Sequence, residues 1–171
     1  MEEGIARITA DPGMVRPRRQ APLVVRTGSR LPLGRRLRSG EPELLRLLMQ
    51  DPGDRELYAR ARPAAMWDAV MPILRRHGLI RDDRPLAGQA CALHALLDGF
   101  STAVYEPETA PPGADDPDAV LADTVAQLFE PADPPGEAAV KAAAEETLAI
   151  FREIRDAVLD LIDRSQTAAA P

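Results

Sequence analysis

The side chains able to do chemistry are few. The chain holds two histidines, His77 and His94, and one cysteine, Cys91. A single cysteine excludes an intramolecular disulfide and any multi-cysteine zinc site. No glycine-rich phosphate loop, paired-histidine metal motif or nucleophile motif occurs. Between positions 85 and 140 there are ten acidic residues and no Arg or Lys. These carboxylates lack the alternating spacing, central glycine and closing glutamate of a calcium loop, so they read as a solvated acidic surface. With no acid/base or nucleophile constellation, the chain is expected not to be an enzyme, and neither a cofactor nor a metal is expected.

Two pairs of residues point to binding instead. His94 and Asp98 are four apart on one helix and can meet. They would form a structural hydrogen bond at a core edge, or a polar contact inside a ligand cavity or subunit seam. Trp67 and Met71 lie one turn apart beside Pro72. Plain core packing explains them, and so does a cavity wall, because a kinked helix leaves poorly filled space beside it. With Phe100 these residues form the candidate ligand-binding set: Trp67, Met71, His94, Asp98 and Phe100. The ligand expected there is small and apolar or aromatic.

The elements that must position them read as all-α, a bundle of about five or six helices. The chain is 171 residues long, enough for one core. Only six residues are aromatic, so that core must be built from Leu, Ala, Val and Ile. Short helical signals run from Glu43 to Met49, with a turn at Asp51-Pro52-Gly53. Leu57, Ala61, Ala64, Trp67, Met71 and Leu74 then recur at helical spacing. Pro63 can open a helical segment, Pro72 should kink it near Asp68, and Gly78 with Leu79 should close it in a Schellman-type cap. Leu86, Ala90, Leu93, Leu97, Phe100 and Val104 form an unbroken apolar stripe. Asp116-Pro117 caps and opens a helix reaching Phe129. The last helix runs from about Glu137 to Arg164. Its apolar stripe, Leu148, Phe151, Ile154, Val158 and Leu161, is the candidate dimer interface, since an apolar face wider than one core can cover marks an interface.

Charge divides the chain. Residues 1–40 carry a net charge of +6 and residues 41–171 a net charge of −12, for −6 overall. Arginines outnumber lysines 20 to one and Asn is absent, which together suggest a GC-rich coding bias. A short helix is possible near Glu2–Thr9. The remainder of the Arg- and Pro-rich 1–40 segment shows no sustained period and is expected to be poorly ordered. Residues 41–164 then form the helical domain and 165–171 a tail. No apolar run approaches a membrane span, and the acidic amino terminus has no signal core, so a cytoplasmic location is expected.

One resemblance is carried by particular residues. The run Trp67-Asp-Ala-Val-Met-Pro-Ile-Leu-Arg-Arg-His-Gly-Leu-Ile-Arg-Asp-Asp-Arg-Pro-Leu86 resembles the C-terminal regulatory domain of TetR/AcrR-family transcriptional regulators. Ala92-Leu-His-Ala-Leu-Leu-Asp-Gly-Phe100, Leu128-Phe-Glu-Pro131 and Leu148-Ala-Ile-Phe-Arg-Glu-Ile154 extend it over about residues 43–164. The resemblance implies an all-helical sensor that binds a small lipophilic effector among its central helices and forms a homodimer through its late ones. It also implies repression relieved by ligand through a shift between two dimer geometries. Residues 1–40 do not read as a helix-turn-helix. DNA is therefore a partner only where such a reader is present or supplied by another chain. The alternative is a stand-alone helical ligand-binding or protein-interaction module that does not bind DNA.

Overall fold

The computed structural model describes residues 1–30, 63–105 and 115–168, with the isolated positions 46, 55 and 59. The expected helix Glu43–Met49, the turn 51–53, the positions Leu57 and Ala61, and the tail end 169–171 lie outside them, as does most of the 107–116 loop. All regular structure among the described residues is helical, in agreement with an all-α bundle. The α-helices are α1 (Glu2–Ala10), α2 (Pro17–Arg30), α3 (Pro63–Arg76), α4 (Leu86–Tyr105), α5 (Pro117–Phe129) and α6 (Glu137–Ala168). A single 3-10 turn, Pro12–Val15, joins α1 to α2.

The ends of several helices follow from local chemistry. At the close of α3, Gly78 takes φ +69°, a conformation in which a Cβ is strained. The Leu79 amide donates to the Leu74 carbonyl at 2.8 Å and the Gly78 amide to that of Arg75 at 3.1 Å. These two bonds are the Schellman pattern, and the buried Leu79 seals it. At α5, the Asp116 carboxylate accepts from the Ala119 amide at 3.0 Å, and Pro117 occupies the first turn, where no amide hydrogen is missed.

Packing follows the apolar stripes. On α4, Ala90, Leu93 and Leu97 are buried, with Leu86 and Phe100 packed at the margin. α5 contributes Leu121, Val125 and Phe129. α6 buries Val140, Ala143, Ala144, Thr147, Leu148 and Phe151, so its core-facing stripe begins two turns before the expected one. Small Ala143 and Ala144 let neighbouring elements approach α6 closely; the 3-10 turn, α1 and α3 all pack against it.

The N-terminal segment departs from expectation. The expected short helix is present as α1. Residues 11–30, however, are not loosely packed: the 3-10 turn and α2 enter the core with α1. Ile5, Ile8, Val15, Ala21, Leu23 and Val25 are all buried. α2 packs against α5, α4 and the 3-10 turn. Three of its arginines pair within the chain. Arg18 pairs with Glu130 at 2.5 Å and Arg26 with Asp118 at 2.6 Å, while Arg19 pairs with Asp11 at 2.7 Å. Since Arg18 and Arg26 advance along α2 as Glu130 and Asp118 recede along α5, the two helices run antiparallel.

A second polar clip ties α3 to α6. His77 Nε2 lies 2.8 Å from Glu146 Oε1, and Arg76 bonds the other carboxylate oxygen. The His77 hydrogen bond, followed by that of Arg76, holds the Glu146 carboxyl below the usual glutamate value of 4.5.

Two outcomes follow. Ile8→Ala should lower the unfolding free energy by about 2–4 kcal/mol in urea titration, whereas a loose arm would leave it unchanged. Because the Glu146 pKa is depressed on folding, its stabilisation is present above pH 4.5 and is lost as pH falls through the lower folded value. Glu146→Gln should therefore remove part of the acid limb of the stability–pH curve. An identical acid limb in the two proteins would refute the coupling.

Candidate functional site

A small cavity lies where α2, α3, α6 and the 3-10 turn converge. Its walls are Val15, Gln20, Met66, Trp67, Val70 and Phe151. The turn brings Val15 inward, α2 supplies Gln20, one face of α3 supplies Met66, Trp67 and Val70, and α6 closes the space with Phe151. α1 seats against the same aromatic ring: a Cβ on Gly4 would stand 3.7 Å from Phe151 Cε2. The cavity is partly open and its volume is about 10 Å³, which is room for roughly one water-sized sphere. Anything larger must move a wall. Met66 is the wall residue suited to it, being only partly buried and having an unbranched, flexible side chain.

Two of the residues that line this apolar space carry buried polar atoms. Gln20 is 5% exposed and Trp67 4%, and both line the cavity. Gln20 Nε2 and Trp67 Nε1 have no hydrogen-bond partner among the described residues. Leaving a buried donor unpaired costs about 1–3 kcal/mol, so both run against stability. The Thr147 hydroxyl, fully buried one helical turn before Phe151, is likewise unpaired.

Of the five ligand-binding candidates, Trp67 is in the cavity wall. Met71 is buried in the core cluster and Phe100 packs at its margin, but neither lines the cavity. His94 and Asp98 do meet, with Nε2 3.2 Å from Oδ2, yet on the outer surface of α4, where both side chains are substantially exposed. Sequence reasoning missed Gln20 because it read residues 16–38 as unstructured. It placed Phe151 in a dimer seam, but that ring faces the chain's own core. Leu148 is buried in the same core, while Ile154 and Val158 are half-buried beyond it. The side chain of Leu161 lies outside the described residues.

The charged groups of one open groove are largely paired with one another. An open groove of about 660 Å³ runs past Arg18, Arg81, Asp83 and Glu130. Arg81 pairs with Asp83 at 2.5 Å, which raises the arginine pKa and lowers that of the carboxyl. The other arginine of the groove, Arg18, is held by Glu130. Among the described residues no group of three or more His, Cys, Asp or Glu side chains is placed to hold a metal ion, and no helix is long and apolar enough to cross a membrane.

Comparison with protein-family models gives no match, and comparisons with curated proteins and with solved structures give none either. The fold and the cavity therefore define the chain by architecture alone, as an all-helical bundle with a small, mostly apolar cavity between its helices.

The two orphaned donors make a stability prediction. Gln20→Met replaces an unpaired amide with an apolar chain of similar length, and should leave stability unchanged or raise it by up to about 1 kcal/mol. Met71→Ala, in the filled core beside it, should cost about 2–4 kcal/mol. A comparable loss in both variants under chemical denaturation would mean that Gln20 has a structural partner.

Proposed function

We propose that this chain is an effector-sensing and dimerisation module of the kind found in TetR-like transcriptional regulators, taking a small apolar ligand into the Trp67 cavity. The observation that carries this reading is the cavity itself. Its walls come from three helices and the 3-10 turn, so an occupant larger than the Met66 side chain can accommodate would press these elements apart. Gln20 and Trp67, which line the cavity, each carry a buried nitrogen with no hydrogen-bond partner among the described residues. Unsatisfied buried donors lower stability, a cost that binding sites tolerate.

The dimer part of the proposal rests on surface left uncovered. The outward face of α4 carries Ala87, Cys91, Ala92 and Ala95, all exposed, and α6 beyond Phe151 carries Ile154, Val158 and a half-exposed Leu159. These two faces would meet their equivalents in a second copy as a four-helix bundle.

A specific observation favours the second reading, a module that does not itself contact DNA. The basic N-terminal segment spends Arg18 and Arg26 on Glu130 and Asp118 of its own chain. Arginines already neutralised add little to phosphate binding. In this reading the module influences gene expression, if at all, through a DNA-binding partner chain.

The test uses Trp67 as reporter, since it is the chain's sole tryptophan. Titration with n-octanol should shift Trp67 emission saturably, and sedimentation equilibrium at tens of micromolar should give twice the chain mass. A linear, non-saturating emission change would sink the ligand reading. A monomer at that concentration would sink the dimer reading, separately.

A further inference from the structure

We infer that a second cleft, between the 3-10 turn and the start of α6, binds a small monocarboxylate with an apolar body. The cleft is partly open and holds about 530 Å³, a volume ordinary for small-molecule sites. It shares no lining residue with the Trp67 cavity. Two cationic side chains, Arg16 and Lys141, line it. Arg16 is half-buried, and its Nη2 donates to the Pro135 carbonyl at 3.3 Å, which fixes the guanidinium beside the segment leading into α6. Among the described residues Arg16 has no carboxylate partner, whereas its neighbours Arg18 and Arg19 each have one. Lys141, the chain's sole lysine, is exposed and likewise has no carboxylate partner among them.

The acids of the cleft set how much negative charge it accepts. They are Asp11 and Glu137. Asp11 is already engaged: its Oδ1 accepts from the Gly13 amide at 2.8 Å and its Oδ2 from Arg19 at 2.7 Å. With that pair set aside, two cations face one carboxylate, so the cleft carries one net positive charge in a chain of net charge −6. That balance suits a single negative charge. A carboxylate matches a guanidinium fork with both oxygens, while a phosphate dianion would set a second charge against Glu137. Pro12, Pro135 and the buried Val140 supply apolar surface for the rest of the ligand.

The experiment titrates the full chain with sodium benzoate and with benzamide, its neutral counterpart, at constant ionic strength, and follows backbone amides by NMR. Benzoate should shift the amides of Gly13 and Gly136, which line the cleft, in a saturable way, with an affinity about tenfold above that of benzamide. Lys141→Met should weaken benzoate about threefold, and Glu137→Gln should strengthen it by a similar factor, with benzamide unchanged in both. Arg16→Met should abolish the preference for benzoate. Lys141 and Glu137 are exposed, so their variants keep the inference testable even if Arg16→Met folds poorly. Equal affinities for the two compounds overturn the inference, and so do linear shifts or saturable shifts confined to amides elsewhere. Benzoate affinity that is the same in Lys141→Met and Glu137→Gln overturns it too, because the charge of the cleft then plays no part. None of these outcomes bears on the Trp67 cavity.

Discussion

The fold depends on one carboxylate. Glu130, at the end of α5, is 3% exposed in its side chain, and a buried carboxylate is tolerable only when its oxygens are satisfied. Arg18 does this twice: its backbone amide donates to Oε1 at 2.8 Å and its guanidinium to Oε2 at 2.5 Å. The first bond is a helix cap supplied from a distance. α2 begins at Pro17; the Arg19 and Gln20 amides turn back to the Arg16 carbonyl at 2.9 and 3.0 Å, but no acidic residue in its first turn answers the Arg18 amide or the positive dipole end. Glu130 does so from 112 positions away. The same contact joins the basic beginning of the chain to its acidic body, so the opposed charges of the two regions serve folding before they serve any partner.

This explains where sequence reasoning succeeded and where it failed. The end of α3 was legible because Gly78 and Leu79 carry their own stop, and the start of α5 because Asp116 and Pro117 carry their own cap. The α4 stripe was legible because one helix face holds every large apolar residue. α2 was not, since Pro17, Pro22 and four arginines read as a broken, solvated stretch, and the cap and ion-pair partners that compensate lie on α5. Pro22 sits inside the helix and is buried there, a position that costs a backbone hydrogen bond and is sustained by tertiary packing rather than by propensity.

The candidate site was legible in the same proportion. Trp67 was identified through its position beside Pro72 on a periodic helix, which is local information. Gln20 could be recognised only once α2 had been placed. The His94–Asp98 pair shows how far spacing reaches. Spacing correctly predicted that the two side chains meet, but spacing has no bearing on which face of α4 turns inward, and the pair lies on the outer one. On α6, the large residues after Leu148 drew attention away from Val140, Ala143 and Ala144, whose small size is what allows the other elements to pack there.

The length of α6 has a mechanical consequence. The helix has 32 residues, about 48 Å at 1.5 Å per residue, and its last buried core residue among the described ones is Phe151, near the midpoint. The ring that closes the cavity is therefore a fulcrum, with roughly 25 Å of helix continuing past it. A tilt of about 5° at Phe151 carries the far end through ~2 Å, the scale of helix shifts that distinguish functional states at subunit interfaces. A displacement no larger than a side-chain adjustment around Trp67 thus arrives at the tip of α6 as a movement large enough to change what packs there.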